Sequence, residues 1–289
     1  MAQASTDPLT APRTRPGTAR PRPPRRPLRM ALWLAVTGAV LWAALGVDVD
    51  LSDLLVGPGR LLSIAGLMFT PPDWAYAGRA FEGMLESIQI AWIGTLLGAV
   101  FSLPLGFLAA KNVTAATGST VARQVLNGIR AVPELILAIA FVPILGLGAF
   151  AGTMAIGLHS IGTLGKLTAE VIEGIDAGPV EAARATGAST SAVMRWGVLP
   201  QVLPDVVAFW LYRFEINLRT SAILGLVGAG GVGGILQNTL QYRRWDKAGM
   251  TILVIVVATV AIDAVSSRIR RRIIAGPDRA VVVAPVEAT

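Results

Sequence analysis

The sequence contains no cysteine, a single histidine and only 15% charged residues. Without thiols there is no disulfide framework, no thiolate metal site and no cysteine nucleophile, and one histidine cannot build a histidine-based metal cluster. Most thiol-enzyme and metalloenzyme functions are thereby excluded. A G-x4-G-K-[ST] phosphate loop is also missing, so ATP hydrolysis of that kind is not a property of this chain. What fills the sequence is apolar: 53% hydrophobic residues, 31 glycines in 289 positions and a mean hydropathy of +0.61. That composition points to a multi-span membrane protein, and its long uncharged runs fit helices better than the alternating strands of a barrel.

Runs near the 20 residues or so that cross a bilayer define the expected spans. They cover residues 31–47, 87–110, a hairpin over 135–165 broken at Gly146-Leu147-Gly148, then 204–222 and 248–265. The result is an all-α protein with six transmembrane helices. Residues 1–29 form a Pro/Arg-rich tail with Asp7 as its only acid, expected to be disordered and cytoplasmic. No small-residue cleavage site follows Val47, so residues 30–47 read as a retained anchor rather than a signal peptide. Residues 48–83 form an outer interfacial segment, 84–267 the core and 268–289 a second basic tail.

The formal charge of +7 invites a nucleic-acid partner, yet the basic tail abuts a span and lacks interleaved aromatics, so nucleic acid is not expected. With the N-terminus inside, six spans put Lys111, Arg123, Arg130, Lys166, Arg184, Arg195 and the Arg268, Arg270, Arg271, Arg272 cluster in the cytoplasm. Only Arg60, Arg79, Arg243, Arg244 and Lys247 fall outside. The positive-inside rule therefore favours two cytoplasmic termini, with membrane lipid as a partner of the basic tails.

The longest internal cytoplasmic loop, 166–203, contains Gly178-Pro179-Val180-Glu181-Ala182-Ala183-Arg184-Ala185-Thr186-Gly187. Pro179 suits a first helical turn, the alanines favour helix and Gly187 suits a left-handed cap, which predicts a two-turn helix. A second short helix is expected over 191–196. Glu181-Ala182-Ala183, three residues, Gly187, eleven residues and Leu199-Pro200 resemble the EAA loop of permeases of binding-protein-dependent ABC importers. That pattern reads E-A-A-x3-G-x9-I-x-L-P, and this chain presents Gly197 with Val198 beside it where the pattern has Ile. A narrower resemblance, to the phosphonate importer permeases, is carried by 130–134, 148–152, Leu158-His159-Ser160, 162–167 and above all Leu211-Tyr212-Arg213-Phe214-Glu215-Ile216-Asn217-Leu218-Arg219.

The resemblance implies the type I importer permease fold, used as a homodimer that forms a path for phosphonates or closely related phosphorus oxyanions. Other substrates within the class are phosphite, a phosphate ester, methionine and a metal chelate. It also implies that Glu181, Ala182, Ala183, Arg184, Gly187, Leu199 and Pro200 couple the chain to a cytoplasmic ATPase. ATP and Mg would be bound there, with no cofactor on this chain, and an extracytoplasmic phosphonate-binding protein would deliver substrate. The chain itself is then a transport subunit in a bacterial inner membrane, not an enzyme.

Within the fifth span, Arg213, Glu215 and Arg219 each carry a substantial insertion cost, about 2.5 to 3.5 kcal/mol at a helix centre. Glu215 and Arg219 stand i to i+4 and could pair with each other, while Arg213 points elsewhere, toward Glu134 or a partner subunit. Two roles remain open: a packing network, or a pathway in which Arg219 with Asn217, Thr220 and Ser221 meets a small dianion through paired N–H donors. His159 and Ser160 are adjacent and point about 100° apart, so they are not a catalytic pair, and a polar lining role is expected. Gly228, Gly230, Gly231 and Gly233 match G-x-G-x-x-G, but no βαβ unit surrounds them, and a glycine-rich bend near an outer gate fits better. An ATP-independent secondary transporter is the rival from another class; it predicts an inverted internal repeat, and no second copy of the charged fifth span is seen.

Overall fold

The computed structural model describes residues 27–46 and 51–279, with side chains for 29–46 and 56–273. The expectation of a disordered tail over 1–29 thus falls almost wholly outside the described residues, as does the end of the second tail. The chain divides into two units, residues 1–59 and 60–289. In the first, α1 (Pro27–Gly46) is a continuous apolar helix. Helix α2 (Leu51–Phe69) follows, with Pro58 inside it, in the stretch expected to be interfacial.

In the second unit a 3-10 turn (Trp74–Tyr76) leads into α3 (Ala77–Ala109), about 50 Å long at 1.5 Å per residue. It starts ten residues earlier than the hydropathy run at Ser87 suggested, because Arg79 and Glu82 pair across one turn and are carried on its first turns. Then come α4 (Ala116–Ala131), α5 (Glu134–Leu145) and α6 (Ala149–Glu173). The loop after α6 holds α7 (Ala177–Ala185) and α8 (Thr190–Val193). A π-turn (Met194–Val198) runs directly into α9 (Leu199–Gly225), and α10 (Val232–Gln241) and α11 (Trp245–Arg279) complete the chain. All described elements are helical. The second loop helix expected at 191–196 is shorter, because its end is absorbed into the π-turn.

Among the described residues three helices are long and apolar enough to cross a membrane, within 29–46, 74–109 and 245–273, and a fourth crossing arises if α4 and α5 count as one broken span. The six crossings expected from the sequence are therefore not all visible as uninterrupted apolar helices. The physical reasons are local. Helix α9 carries Asp205, Arg213, Glu215 and Arg219, and α6 ends in Lys166, Glu170 and Glu173. The first limb of the expected hairpin is only 12 residues, about 18 Å, because Pro133 forces Val132 into an extended conformation and the α4/α5 pair bends by 81°.

Helix α6 is the spine against which α3, α4, α5 and α9 pack. Gly94 and Gly106 of α3 let it approach: a Cβ on either would lie 2.7 Å from Ile156 Cγ2 or Thr168 Cβ. Helix α4 lies along the C-terminal half of α6, with Leu126 over Gly165, and α5 along its N-terminal half. Ile90, Ala138, Ile156 and Leu224 form one core cluster, while Ala110, Ile172, Val198, Val202 and Val206 form another beside the 166–203 loop.

Candidate functional site: a coupling helix and a charged membrane seam

Asp176 caps α7, its Oδ1 accepting from the Gly178 N–H at 2.9 Å, and Gly187 takes a φ of +75° with its N–H bonded to the Arg184 carbonyl at 2.9 Å. Gln201, on the first turns of α9, clamps the loop: its Oε1 accepts from Asp176 N–H at 3.0 Å and its Nε2 lies 2.6 Å from the Gly197 carbonyl. Gly197 itself explains the departure from the Ile of the pattern. A Cβ there would sit 3.2 Å from Val180 Cα, so a large side chain would push α7 off the π-turn. Glu181, Ala182, Arg184 and Gly187 are exposed, Ala183 is half-buried, and Leu199 and Pro200 open α9 on the exposed side. The product is a short rigid helix held against the core by one face and free on the other. Beneath it lies a cavity of about 420 Å³ bordered by Asn112, Glu173, Val180, Glu181, Arg184 and Met194.

Next to that cavity Glu173 staples the α3/α4 turn to the end of α6. Its Oε1 accepts from Lys111 N–H at 2.7 Å and from Arg123 Nη2 at 2.5 Å. Burial pushes its carboxyl up, but these donors and the charges of Arg123 and Lys111 outweigh that and hold it below the ordinary glutamate value.

Halfway along α6 is a buried polar network. Arg213 of α9, 6% exposed, donates through Nη2 to Glu134, the first residue of α5, and through Nε to Ser160 Oγ at 3.1 Å. Asn217, one turn on and fully buried, donates to Ser160 Oγ at 3.1 Å and to Thr95 Oγ1 of α3 at 2.8 Å. His159 Nδ1 lies 2.6 Å from Glu134 Oε1 and 2.8 Å from Arg213 Nη2. A carboxylate accepting from Arg213 has no proton to give, so Nδ1 carries the proton to Glu134, and its approach to the guanidinium is a contact, not a second hydrogen bond. One constellation thus ties α3, α5, α6 and α9 together.

The other face of α9 meets α11. Arg219 Nη2 lies 2.6 Å from Asp263 Oδ2, and Glu215 Oε1 lies 3.3 Å from Arg270 Nη2, whose guanidinium also covers the Tyr212 ring at 5.6 Å. The i to i+4 pair between Glu215 and Arg219 does not form, because each finds an opposite charge on the antiparallel α11. Thr220 is half-buried, and Ser221 Oγ sits 2.8 Å from the Leu218 carbonyl and 3.2 Å from that of Ser87.

The family described as binding-protein-dependent transport system inner membrane component matches residues 102–275. The chain belongs to that family. Among its relatives, the phosphite transport system permease protein PtxC of Stutzerimonas stutzeri is 40% identical over 82% of this chain and 86% of its own. The phosphate-import permease protein PhnE of Mycolicibacterium smegmatis is 39% identical over 83% of this chain and 45% of that longer one. The MetNI methionine ABC transporter, in an inward-facing conformation, shares the fold with a TM-score of 0.60 at 22% identity, over 67% of this chain and 95% of that one.

In this permease the glycines after α9 form a bend rather than a nucleotide loop, since a helix and not a strand precedes them. Gly228, Gly230 and Gly231 take φ of +85°, +80° and +76°, and Gly233 lies against the Ala222 carbonyl. Gly148 N–H donates to the Gly228 carbonyl at 2.8 Å, and Val232 N–H to Ser87 Oγ at 2.9 Å, so the bend joins the N-terminal parts of α3 and α6 to the C-terminal end of α9. Sequence reasoning missed Asp263, Arg270, Glu173 and Gln201. Asp263 alone left a signal, as a single acid inside an apolar run; the others needed contacts 25 to 55 residues apart.

Proposed function

We propose that this ABC importer permease carries phosphorus oxyanions, the chemistry shared by phosphite, phosphate and phosphonates. It works as a homodimer in which each copy crosses the membrane six times with both termini cytoplasmic. An ATPase on a separate chain binds ATP and Mg, and an extracytoplasmic binding protein delivers the anion. Helix α7 is the coupling element, and the observation that carries this reading is its mounting: the Asp176–Gln201 clamp and Gly197 fix one face while Glu181, Ala182 and Arg184 stay outward. Closure of the ATPase would then be transmitted through the π-turn into α9, the helix that carries both charged layers.

The Arg213 network is a packing lock, since its charges are sealed among four helices. Arg219, half-exposed, is the pathway charge. Similarity to phosphite and phosphate permeases supports the substrate class.

The test is co-purification with the ATPase, then ATP hydrolysis in lipid with binding protein loaded with phosphite or 2-aminoethylphosphonate. Stimulation by loaded but not empty binding protein is expected. A stable complex that neither ligand stimulates refutes the substrate class, and absence of a complex refutes the coupling role of α7.

A further inference from the structure

Arg213, Glu215 and Arg219 of α9 are each neutralised by another helix: Arg213 by Glu134, Glu215 by Arg270 and Arg219 by Asp263. Two of these pairs are closed, with Arg213 and Glu215 each 6% exposed. The third is open, with the Arg219 side chain 51% and Asp263 35% exposed. It is also poorly used. Only one N–H group of Arg219 has a partner among the described residues, so a fork built for bidentate contact holds its carboxylate by a single point. Asp263 is half-engaged as well: its Oδ1 is buried with no partner among the described residues. Neither does the hydroxyl of Ser266 have one there; it is 3% exposed and sits one turn further along the same face of α11.

A charged pair facing hydrocarbon would be costly, so this open pair faces either water or a polar surface. We propose that Asp263 is an exchangeable counter-ion: a phosphorus oxyanion replaces it on Arg219 during passage, and Asp263 returns to expel the anion. The inference rests on the reading that this permease carries such anions. The oxyanion wins the exchange transiently because it presents two oxygens to the guanidinium fork where Asp263 presents one. The displaced carboxylate is received by the Ser266 O–H, a donor in need of an acceptor. Without substrate the path then holds no net charge, and an unaccompanied chloride or phosphate would have to displace Asp263 before it could enter.

Uptake of labelled phosphite by proteoliposomes holding the full complex with its ATPase and binding protein tests this. The variant R219Q/D263N removes both charges and keeps side-chain shape. Assembly with the ATPase should match wild type while uptake falls at least about tenfold. D263N alone leaves Arg219 without its carboxylate. The anion should then leave slowly, and inhibition by phosphite supplied on the ATPase side should need at least about fivefold less of it.

A double-neutral variant that takes up phosphite at the wild-type rate overturns the exchange and makes the pair a packing contact, including one against a second copy. Should that variant fail to assemble, D263N decides, and unchanged inhibition by ATPase-side phosphite overturns the proposal. A wild-type complex that takes up neither phosphite nor 2-aminoethylphosphonate refutes the substrate reading itself, before any variant is made.

Discussion

Truncating Glu134 to Ala isolates the charge most deeply committed to this fold. The Arg213 side chain is 8% exposed and loses its only carboxylate; what remains is a single hydrogen bond to Ser160 and a contact with His159. Removing one partner of a buried ion pair costs about 3–5 kcal/mol, because the other charge stays buried without compensation. Replacing both residues, Glu134→Ala with Arg213→Leu, removes that penalty, so the double variant should be more stable than Glu134→Ala alone and the coupling energy of the cycle should reach about 2–3 kcal/mol. Reversible unfolding in mixed micelles, followed by helical circular dichroism, reads all four corners of the cycle. A coupling near about 0.6 kcal/mol, the mean for ordinary interhelical hydrogen bonds in a membrane protein, would refute the argument that this pair is a lock.

Further outcomes follow from other sites. Gly94→Val places a branched Cβ where Ile156 Cγ2 would be 2.7 Å away, and overpacking of that kind should destabilise by about 1–3 kcal/mol, read as a lower Tm. Glu173 has its carboxyl held below the ordinary value, so its staple contributes fully above the unfolded glutamate range and is lost as pH falls through the lowered folded value. Proteolysis at the α3/α4 turn should therefore rise at acid pH in wild type, and Glu173→Gln should show the raised level already at neutral pH. Glu181→Lys should abolish ATP hydrolysis stimulated by loaded binding protein while leaving the fold intact, checked by circular dichroism and the hydrolysis assay. Because the chain has no cysteine, Ala182→Cys and Tyr242→Cys label without background. The first should react only from the cytoplasmic side and the second only from outside, and both reacting from one side would refute six crossings.

Much of the 166–203 loop was legible because its signals are local. Pro179 and Gly187 punctuate a two-turn helix whatever surrounds it, and the spacing from Glu181 to Pro200 lies within one segment. The single sentence of chain that reads 211–219 also showed which charges must find partners. Glu134, 79 positions from Arg213, was among the options for that residue, but Asp263, 44 positions from Arg219, was not. A local i to i+4 pair was the nearest option on paper, and tertiary packing replaced it with α11. The broken span had a visible cause in Pro133, but hydropathy runs on through a proline, whereas backbone geometry does not. Gly197 is legible only against its neighbour: as sequence it is a missing Ile, in the fold it is the room that α7 needs at Val180.

The central claim, that this chain is the path of an ATP-driven importer for phosphorus oxyanions, is tested most directly by phosphite accumulation in proteoliposomes holding the permease, ATPase and binding protein. Accumulation that requires ATP and binding protein and persists after ion gradients are collapsed is the predicted result. Accumulation by the permease alone, driven by an ion gradient without ATPase, would contradict it and return the chain to secondary transport.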